Sequence, residues 1–233
     1  MSNLIRLYIF LVLVFLFSCK SKEMLVSNLV ESKPNSKFEL NAINKNQSKL
    51  PNDSTFVNIK DYSSDFIFDM KYATLDNFLK SKVYDCAECY LRYKTAKALI
   101  IANDSFRKIG LKIKFFDCYR PHDVQVKMWS IVSDANYVAN PAKGSIHNKG
   151  CAVDITLVDK NNNELDMGTK FDFFGEKASH KYNRFSEKIL KNRKKLKEIM
   201  KFANFNSFDS EWWHYNLATG LEEKISNFKW KCN

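Results

Sequence analysis

From Phe56 onward the apolar residues switch irregularly between strand-like and helix-like spacing. Alternation predicts strands around Phe66, Phe68 and Met70 and in residues 111–119, 152–159 and 211–217. Helical spacing predicts helices over residues 91–110 and 184–205, and a third that begins at Pro121 and runs through Val126 and Trp129. Because these elements do not follow one another as regular βαβ units, we predict the α+β class.

The third strand, AVDITLVD, carries Asp154 within a mostly apolar run and ends in Asp159. Its spacing places Val153, Ile155 and Leu157 on one side and Asp154 on the other. His147 precedes it in the stretch GSIHNKGCAVD, and Gly150 allows the chain to turn between the two. The pair either closes an ordinary turn-and-strand unit or supplies two ligands to a metal, and the stretch alone leaves both possibilities open.

The N-terminus has the pattern of an export signal. Arg6 precedes an apolar run over residues 7–17, which is too short to span a bilayer comfortably. The run ends in Ser18 and Cys19, which resembles a bacterial lipobox, whereas a plain signal peptide or a single anchor helix are the alternatives. We predict a lipoprotein signal peptide over residues 1–18 and a lipid on Cys19 that holds the protein at a membrane.

Residues 19–55 are rich in Ser, Asn and Lys and have weak apolar periodicity. This composition predicts a flexible tether. The folded domain is then expected over residues 56–233. The chain of 233 residues is long enough for one sizeable core.

The formal net charge of +11 admits a nucleic-acid binder. The lysines, however, are spread along the chain without an arginine-rich or aromatic-interleaved patch, and an exported protein does not meet nucleic acid. We therefore expect no nucleic-acid partner. The charge favours solubility and some attraction to anionic lipids or wall polymers.

If Cys19 carries lipid, five cysteines remain, and an oxidising compartment permits disulfides among them. Five is odd, so at least one stays free or pairs with another chain. The CxxC formed by Cys86 and Cys89 has no second pair at zinc-finger spacing, which favours a structural disulfide or a buried thiol. Spacing does not reveal the pairing, and Cys151 is expected to be a packed small residue.

A catalytic zinc typically takes three protein ligands and keeps a fourth position for water. The best third ligand beside His147 and Asp154 is His214, because Glu211 lies three residues before it and zinc hydrolases use a glutamate to accept the water proton. His122 stands at a helix start and His180 in a polar loop. The alternative is a packed, hydrogen-bonded His214 beside two core tryptophans.

SIHNKGCAVD followed by EWWH fits the pattern SxHxxGxAxD…ExxH of the zinc D,D-peptidases, a superfamily that also holds the hedgehog signalling domain. Within it the chain resembles the VanX-type D-alanyl-D-alanine dipeptidases. The blocks KYATLDNF, DCYRP, SIHNKGCAVDITL, MGTKFDF and EWWHY match in order and cover nearly everything from Phe56 onward. The resemblance implies a central antiparallel sheet that carries the zinc site and is flanked by helices.

The resemblance also implies the roles of the reacting groups. His147, Asp154 and His214 would bind one Zn²⁺ per chain. Glu211 would act as general base and then as acid toward the leaving amine. Arg120 would stabilise the developing oxyanion, because a fixed guanidinium offers donors where negative charge grows.

Three further residues would bind the substrate. The resemblance implies that Ser145 hydrogen-bonds the terminal carboxylate, that Asp172 pairs with the free ammonium, and that Tyr72 helps to hold the same end. An acidic residue that faces the amine admits a dipeptide and excludes a longer chain, since an unpaired buried charge is costly. The implied substrate is therefore the D-alanyl-D-alanine dipeptide.

Two alternatives remain open. A D,D-carboxypeptidase or endopeptidase would act on longer wall peptides, and Asp172 is the residue that discriminates it. A lipid-anchored, non-catalytic binding module with a structural zinc would need neither Glu211 nor Arg120. With the lipid anchor we expect an exported lipoprotein of the bacterial cell envelope, in the periplasm, that breaks down dipeptide released from the wall.

Overall fold

The computed structural model describes residues 50–232, so the predicted signal peptide, Cys19 and most of the predicted tether lie outside the described residues. Within the described part, no helix is both long and apolar enough to cross a membrane. From Pro51 onward the described residues form one compact unit.

The strands, in chain order, are β1 (Phe56–Asn58), β2 (Ile67–Phe68), β3 (Tyr90–Arg92), β4 (Lys112–Asp117), β5 (Ala152–Val158), β6 (Phe205–Phe208) and β7 (Glu211–Leu217). The α-helices are α1 (Tyr93–Arg107), α2 (His122–Ile131) and α3 (Glu187–Phe202). The predicted strand over residues 211–217 matches β7, and α3 is shorter than predicted by three residues at each end.

Five strands form one sheet in the order β2-β4-β5-β7-β6, and β1 pairs with β3 in a separate antiparallel ribbon. In the large sheet every pair is antiparallel except β2 with β4, which is parallel. The fold is α+β as predicted, and the antiparallel description is wrong only at the β2 edge. Two-residue β2 is joined to β4 by a long crossover, which a parallel pair requires.

The core lies between the sheet and two helices. Val153, Ile155 and Leu157 of β5 belong to one buried cluster, as the alternation predicted. The same cluster takes in residues of α1 and α3, among them Leu99, Phe106, Leu196 and Met200. Since side chains alternate along a strand, Asp154 projects from the opposite face of the sheet.

The helix predicted over residues 91–110 is shorter at both ends and ends at Arg107. Its first two residues belong to β3, which pairs with β1, and the helix begins at Tyr93. The backbone N–H of Tyr93 donates to the carbonyl of Thr55 at 2.8 Å, and that of Lys94 to the carbonyl of Asp53 at 3.0 Å. These carbonyls satisfy the first amides of α1, so the contacts of the folded unit begin before Phe56.

Two disulfides are present, Cys86–Cys232 and Cys89–Cys118, while Cys151 is free and buried. The two cysteines of the CxxC thus take separate, distant partners. Cys151 is packed, as expected: a Cβ added at Gly220 would lie 2.3 Å from its Cβ. The close approach explains why a small side chain and a glycine face each other there.

Candidate metal centre and active site

Three elements bring the predicted metal ligands together. His147 lies in a short 3-10 helix, Ile146–Lys149, which Ser145 caps and Gly150 ends with a positive φ of 73°. Asp154 lies in β5 and His214 in β7, and the register of the two strands makes them direct cross-strand partners. Strand pairing therefore fixes two ligands, and a capped turn presents the third.

The ligand atoms converge on one point. Oδ1 of Asp154 lies 2.9 Å from Nδ1 of His214 and 3.4 Å from Nε2 of His147, and the two ring nitrogens are 3.1 Å apart. Zinc bonds of about 2.0–2.1 Å in a tetrahedron would space such atoms by roughly 3.3 Å. Two imidazoles and a carboxylate at these separations can hold a metal ion.

The outer nitrogens of both imidazoles are also held. Nδ1 of His147 lies 2.7 Å from the carbonyl oxygen of Cys118, and Nε2 of His214 lies 2.9 Å from Oδ1 of Asn216. Both oxygens accept, so each of these nitrogens donates. The opposite nitrogen of each ring then carries the free lone pair that a metal requires.

The charges of the cluster favour an ionised carboxylate. Burial alone would raise the pKa of Asp154, but the adjacent His147 and His214 lower it below its usual value. The pKa of His214 is raised, because hydrogen bonding and charge from Asp154 outweigh burial. A cation bound between these side chains would favour the same ionised form of Asp154.

Glu211 begins β7, three residues before His214, and is half-buried. Burial raises the pKa of its carboxyl, and His214 opposes this shift by attraction while Asp154 adds to it by repulsion. A carboxyl with a raised pKa is better matched to accepting and returning a proton near neutral pH.

Arg120 is buried and held at two of its three nitrogens. Nη2 donates to Oδ2 of Asp117 at 2.6 Å, and Nη1 donates to Oε1 of Gln125 at 2.8 Å. Nε is buried without a hydrogen-bond partner in the described part of the chain. Buried donors are normally satisfied, so the free N–H is a position for a ligand oxygen.

Asp117 keeps this guanidinium in place through a network of hydrogen bonds. Its carboxylate is fully buried and accepts hydrogen bonds from Arg120, from the hydroxyl of Tyr84 at 2.7 Å and from the backbone N–H of Cys118 at 2.9 Å. The backbone N–H of Arg120 donates to the carbonyl of His147 at 3.1 Å, which links the arginine to the metal ligand.

Tyr72 and Asp172 form a separate hydrogen-bonded pair. The Tyr72 hydroxyl lies 3.1 and 3.2 Å from the two carboxylate oxygens of Asp172 and donates to them. Burial raises the pKa of Asp172 well above its usual value, repulsion from Asp154 adds to this, and the bond from Tyr72 opposes it. A carboxylate under this strain would gain from a cationic partner.

Ser145 has a structural contact that the sequence did not predict. Its Oγ accepts from the backbone N–H of His147 at 3.2 Å, while its own N–H donates to Oδ1 of Asn148 at 2.7 Å. This reciprocal cap orients the turn that carries His147. The hydroxyl proton remains available to a carboxylate.

Of the nine predicted site residues, Cys19 lies outside the described part, and the other eight lie within it. The sequence reasoning missed the supporting residues Asp117, Tyr84, Gln125, Asn148 and Asn216. Asp117 and Asn148 lie inside the blocks DCYRP and SIHNKGCAVDITL, which was a usable signal, whereas the other three lie outside the quoted blocks or show no pattern. His122, which was set aside as a ligand, contacts the carbonyl of Pro141 at 3.0 Å instead.

The D-Ala-D-Ala dipeptidase family of M15 peptidases matches residues 52–231. The chain belongs to this family. It is 34% identical to a D-alanyl-D-alanine dipeptidase of Escherichia coli over 168 residues, which cover 72% of this chain and 87% of that one. It is 32% identical to the D-alanyl-D-alanine dipeptidase of Enterococcus faecium over 171 residues, 64% of this chain and 85% of that one. The protein is therefore a peptidase.

Among solved structures, the chain is similar to a vancomycin-resistance D,D-pentapeptidase, VanY, crystallised in complex with Zn(II). The sequence identity is 15%, and the match covers 56% of this chain and 74% of that one. The TM-score is 0.36, which is too low to support an argument about fold or metal.

Proposed function

We propose that this peptidase is a zinc-dependent D-alanyl-D-alanine dipeptidase with one Zn²⁺ per chain. The observation that carries the proposal is the convergence of His147, Asp154 and His214, with both outer imidazole nitrogens held, in a member of this family. Bound there, Zn²⁺ would polarise the scissile carbonyl and acidify a water molecule.

Glu211 is the proposed proton carrier. Its carboxylate would take a proton from the attacking water and return it to the amine of the departing D-alanine. The pKa of this carboxyl is raised by burial, which brings the proton affinity closer to that needed for both steps.

Arg120 is proposed to bind the oxygen on which negative charge develops. Its free Nε–H is the donor, and Asp117 and Gln125 hold the two other nitrogens. A guanidinium fixed in this way needs little reorganisation as the charge grows.

The two ends of the substrate are assigned to separate groups. Asp172 and Tyr72 would hold the free ammonium, and the Ser145 hydroxyl would donate to the terminal carboxylate. The raised pKa of Asp172 supports this assignment, because an ammonium would relieve the cost of ionising a buried carboxyl. A peptide with a blocked amine would leave that carboxyl unpaired, which favours free dipeptides.

The test compares three substrates with the purified, oxidised, zinc-loaded protein. These are D-Ala-D-Ala, its N-acetyl derivative, and a pentapeptide stem that ends in D-Ala-D-Ala. We expect release of D-alanine from the free dipeptide at least about 10²-fold faster than from the other two. Efficient release from the pentapeptide would replace the proposal with a carboxypeptidase. Bound zinc without activity on any of the three would favour the binding module.

We also propose that a lipid on Cys19 anchors the enzyme in the bacterial cell envelope, on the periplasmic side, where it degrades dipeptide released from the wall. The short apolar run before Cys19 supports this location. Replacing Cys19 by alanine is expected to move the protein from the membrane fraction to the soluble fraction. An unchanged membrane fraction would instead indicate an anchor helix.

A further inference from the structure

We propose that the Cys89–Cys118 disulfide positions the metal ligand His147, so that metal affinity depends on this bond being oxidised. The inference rests on the proposed metal centre and deepens it. It concerns one of the two disulfides among residues 50–232, and the other, Cys86–Cys232, provides an internal comparison.

Cys118 contacts the site through its backbone. It follows the last residue of β4, and its carbonyl accepts the hydrogen bond from Nδ1 of His147 at 2.7 Å. This bond decides which ring nitrogen faces the metal. Such outer-shell partners typically change metal affinity by about 10- to 100-fold when they are removed. The position of the Cys118 carbonyl is therefore a determinant of the site.

Cys89 ties this carbonyl to a second segment that holds the same turn. It directly precedes β3, and Tyr90 in β3 accepts from the N–H of Tyr119 at 3.0 Å. At the other end of β3, the N–H of Arg92 donates to the carbonyl of Gly150 at 3.0 Å. The turn with His147 is thus held at one end by the Cys118 carbonyl and at the other by β3. The disulfide links Cys118 to the residue that directly precedes β3.

Both sulfur atoms are in the interior, since Cys89 and Cys118 are each fully buried. Two unbonded sulfur atoms cannot remain at bonding distance, so reduction must move the two backbones apart or rotate their side chains. The Cys118 carbonyl lies beyond the last residue of β4, and the N–H of Tyr119 in the same peptide bonds to Tyr90, so its position depends on the link to β3 that the disulfide reinforces. A displaced carbonyl would release the His147 ring.

The second disulfide lacks these contacts. The side chain of Cys86 accepts from the indole N–H of Trp230, and no hydrogen bond among residues 50–232 connects Cys86 or Cys232 to a metal ligand. Its loss removes a cross-link that reaches the site only through ring contacts, since Trp230 stacks on Tyr90, and not through a hydrogen bond to a metal ligand in the described part of the chain. It is the matched control for a general effect of losing a disulfide.

The experiment compares two variants of the full chain, Cys89→Ala with Cys118→Ala, and Cys86→Ala with Cys232→Ala. Zinc affinity is measured by competition with a chromophoric chelator, and the Co²⁺-substituted forms are compared by their ligand-field spectra. We expect the first variant to bind zinc about 10-fold more weakly than wild type, and the second to stay within about twofold. The cobalt spectrum should change only in the first.

A second arm does not depend on the first variant folding. The Cys86→Ala, Cys232→Ala protein retains the Cys89–Cys118 bond, and a phosphine reductant converts it to two thiols while the phosphine is oxidised and water supplies the oxygen and two protons. A phosphine is used because added thiols would themselves bind zinc. Zinc affinity should fall about 10-fold on reduction and return on reoxidation.

Equal zinc affinity of the two alanine variants, or no change on reduction, would overturn the inference. These results are independent of turnover. A wild-type protein that binds zinc but leaves D-Ala-D-Ala intact would refute the proposed function alone. Since disulfides persist mainly in oxidising compartments, a dependence on this bond would confine a fully loaded site to the outside of the cytoplasm.

Discussion

The site has two ends that are built differently. The metal end, made of His147, Asp154 and His214, rests on paired strands and a capped turn. The amine end, made of Tyr72 and Asp172, rests on two connections, since Tyr72 lies in a short 3-10 helix after β2 and Asp172 in the segment between β5 and α3. The pairing of strands positions the metal end. The amine end lies on connecting segments, so contacts from other elements must hold those segments in place.

For the segment that carries Asp172, such contacts come from α3. The guanidinium of Arg193 donates to the carbonyls of Met167 at 2.7 Å, Lys177 at 2.8 Å and Ser179 at 2.9 Å, which lie on both sides of Asp172. Arg193 is buried, although it lies on a helix rich in exposed lysines. The metal end is therefore fixed by strand pairing and a capped turn, whereas the segment that carries Asp172 is fixed by side chains that reach it from α3 and β7, among them Arg193 and Trp212.

The comparison predicts the largest effect at the metal end. Glu211→Gln keeps the shape of the side chain but removes its ability to accept a proton. We expect kcat on D-Ala-D-Ala to fall by about 10³-fold, within the range typical of a lost general base. Steady-state kinetics and zinc content are measured together, and zinc content should not change. Wild-type turnover in the zinc-loaded variant would refute the assignment.

A smaller and more selective effect is expected at the amine end. Asp172 has a φ of 57°, in the left-handed region that Asn also tolerates, so Asp172→Asn preserves backbone and shape and removes only the charge. We expect kcat/KM on D-Ala-D-Ala to fall by about 10²-fold, mainly through KM.

The control for this variant is N-acetyl-D-Ala-D-Ala, which has no ammonium. Its turnover should change little, so the preference for a free amine should shrink in Asp172→Asn. If the variant keeps the wild-type preference, another group recognises the amine, and the proposed division of the site into two ends is wrong.

The two ends also differ in how far the sequence predicted them. Asp154 lies on a strand with clear alternation and His147 shortly before it, and the three-residue spacing of Glu211 and His214 pointed to the remaining ligand and base. The direct pairing of Asp154 with His214 is a matter of strand register, which depends on contacts between residues far apart in sequence. The contacts that support Arg120 could not be predicted for the same reason. Tyr84 bonds to Asp117, and Gln125 bonds to Arg120, only in the folded chain.

Short elements were missed where local spacing is ambiguous. β3 has three residues and merges with the apolar spacing of α1, so only its pairing with β1 separates them. The disulfide partners followed no spacing rule, because Cys86 and Cys89 diverge to Cys232 and Cys118. Predictions from sequence were best where one short segment holds the whole motif, and worst where a contact joins residues that are far apart in the chain.

The smallest predicted effect concerns stability. It tests whether burial and repulsion from Asp154 disfavour the ionised form of Asp172 at the amine end. The raised pKa of Asp172 means that ionisation favours the unfolded chain, in which an aspartate has a pKa of about 3.9. The wild type therefore loses stability as pH rises above that value and through the raised pKa, whereas Asp172→Asn does not titrate there. Measured by thermal melts of the metal-free protein, the variant should melt roughly 2–4 °C higher at pH 7, equivalent to about 1 kcal/mol for a chain of this size, and the gain should disappear near pH 4. A gain of equal size at both pH values would show that charge is not its cause.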